Sequence, residues 1–179
     1  MTRRIAFLRA VNLGGRTILM ADLRRTFERL GCTRVETFIA SGNVIFDSSA
    51  RAEPALAARI ERALESEYGF AVPTLLRTPA EVRSLADHAP FASAAVAKAR
   101  ALYVGLLAAP ASASAARAVD ALATRDESFA LHGRELYWLS RPGQGESKID
   151  LKKLERALGQ PMTMRSVTTL RKLADKYPA

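Results

Sequence analysis

Asn12-Leu-Gly14-Gly15-Arg16 places two adjacent glycines and an arginine just after an apolar run, a combination suited to holding a small anion. Glycines let backbone N–H groups turn toward one point, and a helix N-terminus favours negative charge there. Arg16 would add charge-assisted hydrogen bonds to a phosphate or carboxylate. The third glycine of a dinucleotide fingerprint and the Gly-Lys-Ser/Thr of a P-loop are missing, so no nucleotide class follows. The same residues also fit a glycine turn set by backbone geometry alone. Both readings stay open from sequence.

Other residues raise the same choice between ligand and architecture. Arg9 is a charge in an otherwise apolar strand, and Arg165 stands likewise in a late strand. Such residues are rarely buried without a partner. Each either pairs with an acid at an interface or receives an anionic ligand. Ser41-Gly42-Asn43 suits a tight hairpin turn for conformational reasons, and Ser41 and Asn43 could also contact a ligand. Gly143-Gln-Gly145-Glu-Ser147-Lys148 follows a strand and opens a helix, with spacing too short for a P-loop. Ser147 is expected to cap that helix, with Lys148 as its first residue. Lys152, Lys153, Arg156, Arg171, Lys172 and Lys176 form either a cationic surface or a solvated helix face.

Much chemistry is not indicated. His88 and His132 are isolated in the sequence and no Cys/His cluster exists, so no zinc site is expected. Cys32 follows a helix-ending glycine and reads as a small core residue. There is no G-x-S-x-G elbow, and Val44-Ile-Phe46 lacks the aromatic signature of RNA-recognition motifs. Trp138 and Tyr137 are expected as core and rim. No cofactor fingerprint and no acid–base pair stand out, so no cofactor is expected and no catalytic residue is assigned.

Charge is distributed unevenly. The net charge is +9, with residues 1–34 at +6, residues 141–179 at +5 and the middle at −2. Basic ends could attract nucleic acid or phosphorylated ligands. A preference of 21 Arg to 6 Lys, with abundant Ala, is also what a GC-rich coding bias yields. The stretch Ala89 to Ala97 is too short to span a bilayer, and Arg9 and Asn12 interrupt the N-terminal apolar run, so neither membrane insertion nor a signal peptide is expected. With one cysteine, a cytoplasmic setting is the default.

The elements that must position these residues follow from periodicity. Ile5–Val11 reads as a strand. Met20, Leu23, Phe27 and Leu30 mark a helix that Gly31 stops. Residues 35–46 read as a hairpin, Leu56, Ile60 and Leu64 as a helix, and Val72–Leu76 as a strand. An extra helix runs from Pro79 to about His88, and a linker covers 89–100. The pattern then repeats: strand 102–107, a helix through Val119, a hairpin around His132-Gly133-Arg134, a helix through Leu154, strand 162–165 and a last helix from Thr168. The order is β-α-β-β-α-β twice. The fold class is therefore α+β: two ferredoxin-like units in tandem, residues 1–78 and 101–179, joined by a helix and loop over 79–100, with a C-terminal helix. No residue-level repeat is visible.

Two geometric expectations follow. Ile5-Ala-Phe-Leu8 and Leu102-Tyr-Val104 are apolar at successive positions, so the sheet face away from the helices must be covered, by the other domain or a second chain. The first loop and the first hairpin are expected at opposite ends of the sheet, about 20 Å apart. Asn12 and Asn43 would then not share a site.

The runs Arg9-Ala-Val-Asn12-Leu-Gly14-Gly15, Met20-Ala-Asp-Leu23 and Thr37-Phe-Ile-Ala-Ser41-Gly42-Asn43-Val-Ile-Phe46 resemble a bacterial family, the domain of unknown function numbered 1697. Its members begin with Arg-Gly-Ile-Asn-Val-Gly-Gly and carry Ser-Gly-Asn-Val in the first hairpin. Gly145-Glu-Ser147-Lys148 and Thr163-Met-Arg165 are also similar to it. Where members follow the late arginine with Asn-Trp-Asn-Thr, this chain has Ser166-Val-Thr168-Thr169. The resemblance implies a duplicated ferredoxin-like architecture and supplies no activity. Three functional readings follow from the sequence as a whole: a binding protein for nucleic acid or a phosphorylated small molecule, an enzyme with an interdomain pocket, or an assembly component acting through an oligomer interface.

Overall fold

Apolar residues at helical and strand spacing set fifteen elements in a computed structural model that describes every residue except Leu13, Arg16, Ala40 and Ser41. The first half runs β1 (Thr2–Leu8), α1 (Met20–Arg29), β2 (Thr33–Phe38), β3 (Asn43–Ser48), α2 (Glu53–Tyr68), β4 (Thr74–Arg77) and α3 (Pro79–Asp87). The second runs α4 (Ser93–Ala97), β5 (Ala101–Leu106), α5 (Ala113–Asp120), β6 (Glu127–His132), β7 (Glu135–Ser140), α6 (Leu151–Leu158), β8 (Thr163–Ser166) and α7 (Val167–Lys176). Two four-stranded antiparallel sheets result, ordered β2-β3-β1-β4 and β6-β7-β5-β8. Each is flanked by helices in the ferredoxin-like element order. The short helix α4 lies where the sequence suggested only a linker.

Residues 1–82 and 176–179 make one compact unit, and residues 83–175 the other. In the first, Leu56, Ile60 and Leu64 recur every four residues along α2, and Pro54 fits its first turn. They pack with Leu23 and Phe27 of α1 onto Ala6, Leu8, Val44, Phe46 and Leu76. Full burial of each large apolar side chain contributes about 1.5–3 kcal/mol. In the second unit Val119, Leu154 and Leu158 close with Leu136 and Met162. Helix α6 is capped by Asp150, whose carboxylate accepts from Lys152 N–H at 2.9 Å. Ser147 instead accepts from Ile149 N–H at 3.1 Å, so the helix begins three residues after the expected Lys148. A carboxylate caps as well as a hydroxyl does, and Asp150 sits nearer the first apolar turn.

The central strands β1, β3 and β7 bury residues of both faces, as the unbroken apolar runs require. Ile5, Phe7 and Ile45 on the face away from α1 and α2 are fully buried, and every residue of β3 and β7 is buried. In the first unit, Tyr177 lies on that face. Its hydroxyl donates to Glu36 at 2.9 Å and its ring meets Phe38 edge-on. In the second, Tyr137 donates to the Leu85 carbonyl of α3 at 2.9 Å. Tyr137 and Trp138 are both fully inside, so the expected rim position of one of them does not hold.

The first loop and first hairpin lie at the same end of the sheet, not opposite ends. Helix α1 returns the chain to where β1 began, so β2 runs parallel to β1 and its hairpin emerges where β1 stops. Phe7 pairs with Asn43, and Leu8 N–H donates to the Gly42 carbonyl at 2.8 Å. The second unit repeats the bond, from Leu107 N–H to the Arg134 carbonyl at 2.9 Å.

The duplication also has a residue-level trace. Arg77 sits opposite Ile5, and Arg165 opposite Val104, the matching position of the second sheet. Each arginine is buried, and each donates to the carbonyl of the preceding residue, Leu76 or Met164, at 2.8 Å. Each is followed by a hydroxyl that caps the next helix. Thr78 Oγ1 accepts from Glu81 N–H at 3.2 Å, and Ser166 Oγ from Thr169 N–H at 3.2 Å.

Candidate functional site

The end of the first sheet where β1, β2 and β3 meet gathers most of the residues singled out from sequence. Arg9 lies just past β1 rather than within it, half-buried, and its N–H donates to the Pro73 carbonyl at 2.9 Å. The Asn12 side chain accepts from Ile18 N–H at 2.9 Å and so closes the loop that holds the glycines. Gly14 and Gly15 both adopt left-handed backbone, φ 64° and 82°, in exposed positions with open space where a side chain would stand. Asn43 is fully buried and donates to the Phe38 carbonyl at 3.0 Å, closing the hairpin. Arg16 and Ser41 lie outside the described residues. Lys148 is exposed and belongs to the second unit, as does Arg165.

The loop and hairpin are locked together by Gly42. Its φ is 75°, and a Cβ added there would lie 2.6 Å from Val11 Cγ2 and 3.1 Å from Leu8 Cβ. Two non-glycine residues beside this junction, Ala10 at φ 55° and Ile39 at φ 52°, also take left-handed backbone. Such conformations cost about 1–3 kcal/mol each and collect at functional sites. Ile39 is also half-exposed.

Charge at the N-terminal end is largely neutralised. Among the described arginines of residues 1–34, at least five are in ion pairs: Arg3 with Glu36 and Asp47, Arg4 with Glu53, Arg25 with Asp22, Arg29 with Glu67, and Arg34 with Asp47. Burial pushes the Glu36 and Glu67 carboxyls up, but hydrogen bonds from Tyr177 and Arg3, and from Arg29 and Thr26, bring each below its usual range. The +6 of this segment therefore reads as structural pairing more than as a free cationic patch.

Several groups escaped the sequence reading. His88 and His132 are not isolated: their rings stack at 4.1 Å, and Tyr137 flanks His88 at 5.0 Å. Among the described residues no group of three metal-ligating side chains forms. Buried Glu127 accepts from Trp138 Nε1–H at 2.6 Å. Burial alone pushes the Arg165 guanidinium down to about 10. Arg77, its counterpart in the first unit, makes the same hydrogen bond to the preceding carbonyl. The signal for both was the shared sequence of apolar residue, arginine and hydroxyl ahead of a helix. Cys32 is buried, as expected, and burial raises its thiol.

Known proteins place the chain on the same footing. Residues 1–137 match the model of a protein family of unknown function, DUF1697. The chain belongs to that family. A solved structure of a conserved bacterial protein from Streptococcus pneumoniae matches this DUF1697 protein with a TM-score of 0.79 at 22% identity, over 100% of this chain and 99% of the other. At that identity the likeness establishes the tandem fold alone. None of the curated proteins matches the DUF1697 chain. No described helix is long and apolar enough to cross a membrane.

Proposed function

We propose that this DUF1697 protein binds a phosphate-bearing ligand at the loop end of its first sheet. The observation that carries the reading is the junction of two segments far apart in sequence, made by the Leu8–Gly42 bond. Residues 9–21 and 37–46, which meet there, hold two arginines and no acid. Adjacent left-handed glycines, both exposed, are a backbone conformation in which N–H groups can turn toward an anion. Strain at Ala10 and Ile39 on either side supports a site kept for binding rather than for stability. The five paired arginines argue against a broad, non-specific cationic surface as the basis of function.

Fluorescence anisotropy with labelled RNA and DNA, at about 50 and 200 mM salt, tests the reading. Competition by nucleotides and sugar phosphates separates a nucleic acid from a small phosphorylated ligand. Binding that survives the higher salt and weakens about tenfold in Arg9→Ala or Arg16→Ala supports it. Binding that vanishes with salt for every ligand, or that ignores both substitutions, overturns it.

A further inference from the structure

The two units differ most in one connection. Between β3 and α2 the chain needs only four residues, 49–52, whereas between β7 and α6 it uses ten, 141–150. Helix α6, with 8 residues, is half the length of α2, with 16, so this irregular loop takes the place of the first turns of the helix. In the second unit this loop walls a groove of about 310 Å³ lined by Arg100, Tyr103, Gly143, Gln144, Gly145 and Glu146, among others. That volume falls in the range of small-ligand sites.

The groove is built rather than incidental. Gly143 N–H donates to the fully buried Ser140 hydroxyl at 3.1 Å, and Gln144 N–H donates to the Tyr103 hydroxyl at 3.2 Å. Gly143 takes left-handed backbone at φ 83°, and a Cβ there would stand 3.1 Å from Arg100 Cδ. The left-handed backbone favours glycine here, and an added side chain would press on the Arg100 stem. Tyr103 in turn packs on the buried Trp138 at 5.2 Å, which fixes its ring.

Arg100 reaches over this loop to Glu146, at 2.7 Å, with both side chains about two-thirds exposed. An exposed pair of this kind is weak and exchanges readily. A planar guanidinium matches carboxylate and phosphate oxygens equally well. We infer that the groove is a second ligand site, for a small oxyanion-bearing metabolite, with Arg100 as its anchor and the Glu146 carboxylate as an internal stand-in for the ligand. The ligand displaces Glu146 from Arg100 and rests its organic part on Tyr103. This site lies in the second unit and does not depend on the phosphate site proposed above.

The test is amide-resolved NMR on the full chain, titrated with inorganic phosphate and, separately, succinate, with ionic strength held by potassium chloride. Saturable shifts at Gly143, Gln144 and Gly145 are expected. Glu146→Gln, which frees Arg100, tightens binding about threefold, and Arg100→Ala abolishes saturation. Saturation by phosphate alone assigns a phosphorylated ligand, and by succinate alone a carboxylate. Shifts that never saturate, that persist in Arg100→Ala, or that are unchanged by Glu146→Gln overturn the inference. Shifts at residues 9–15 and 42–43 report the other site, so the two proposals fail separately.

Discussion

Replacing Gly42 with alanine attacks the junction on which the first-unit site depends. At φ 75° a side chain carries a left-handed backbone penalty of about 1–2 kcal/mol. The new methyl would also meet Val11 Cγ2 at 2.6 Å and Leu8 Cβ at 3.1 Å, in a strand end with no spare room. Overpacking of that kind costs about 1–3 kcal/mol. The total, about 2–5 kcal/mol, is a large part of the stability of a small domain. Gly14→Ala is the control, because Gly14 shares the left-handed backbone but has nothing within 4 Å of the added methyl. It should lose only the backbone part. In urea unfolding followed by far-UV circular dichroism, with a slope of about 2 kcal/mol per molar, Gly42→Ala lowers the midpoint by about 1–2.5 M. Gly14→Ala lowers it by less than about 1 M. Equal shifts for the two variants would refute the claim that Gly42 holds loop and hairpin together. So would a Gly42→Ala protein as stable as wild type.

Trp138→Phe strips the donor from buried Glu127 and is expected to cost about 3 kcal/mol in urea unfolding. The double variant with Glu127→Leu should cost less than the sum of the two single changes, and strict additivity would deny the coupling. Burial and the neighbouring His132 hold His88 below its ordinary imidazole value, against a smaller upward pull from Glu135. Protons then bind the unfolded chain first. Stability is therefore full above about pH 6.5 and falls as pH drops toward the folded value, a slope that His88→Asn should flatten in thermal melts from pH 7.5 to 5. The buried Cys32 thiol, raised by desolvation, should react with a disulfide reagent at least about a hundredfold more slowly in the native protein than in urea. Comparable rates would place it at the surface.

Helices were legible because their apolar residues recur every three or four positions and glycines end them. Leu56, Ile60, Leu64 and the left-handed Gly69 of α2 are the clearest case. The burial of β1 on both faces was legible too, since Ile5-Ala-Phe-Leu8 leaves no polar face. The site was harder for two reasons. The hairpin at Asn43 was expected at the wrong end because the return of the chain through α1, which makes β2 parallel to β1, was not carried into the placement of the turn. Partnerships such as His88 with His132, or Asp47 with Arg34, form across sheets and between elements, and spacing along the chain is silent about them. Arg77 was passed over because a single charge next to a turn reads as surface until its burial is known. The cap of α6 was misplaced by three residues because serine and aspartate serve that role equally well.

The irregularity in β2 bears on how the protein behaves when crowded. Arg34 takes left-handed backbone at φ 47°, and the pairing of β2 with β3 slips between Thr33 and Glu36. The Arg34 guanidinium grips Asp47 through Nε at 2.6 Å, and the Arg3 side chain reaches across to the Arg34 carbonyl at 2.7 Å. One of the backbone acceptors of this outer strand is therefore already occupied by a side chain. Strand β2 borders its sheet, and a straight border with open backbone groups invites strands of other molecules to join. A bent border with an arginine clasped over it offers no such template. The distortion thus makes this border a poor template for the addition of a further strand.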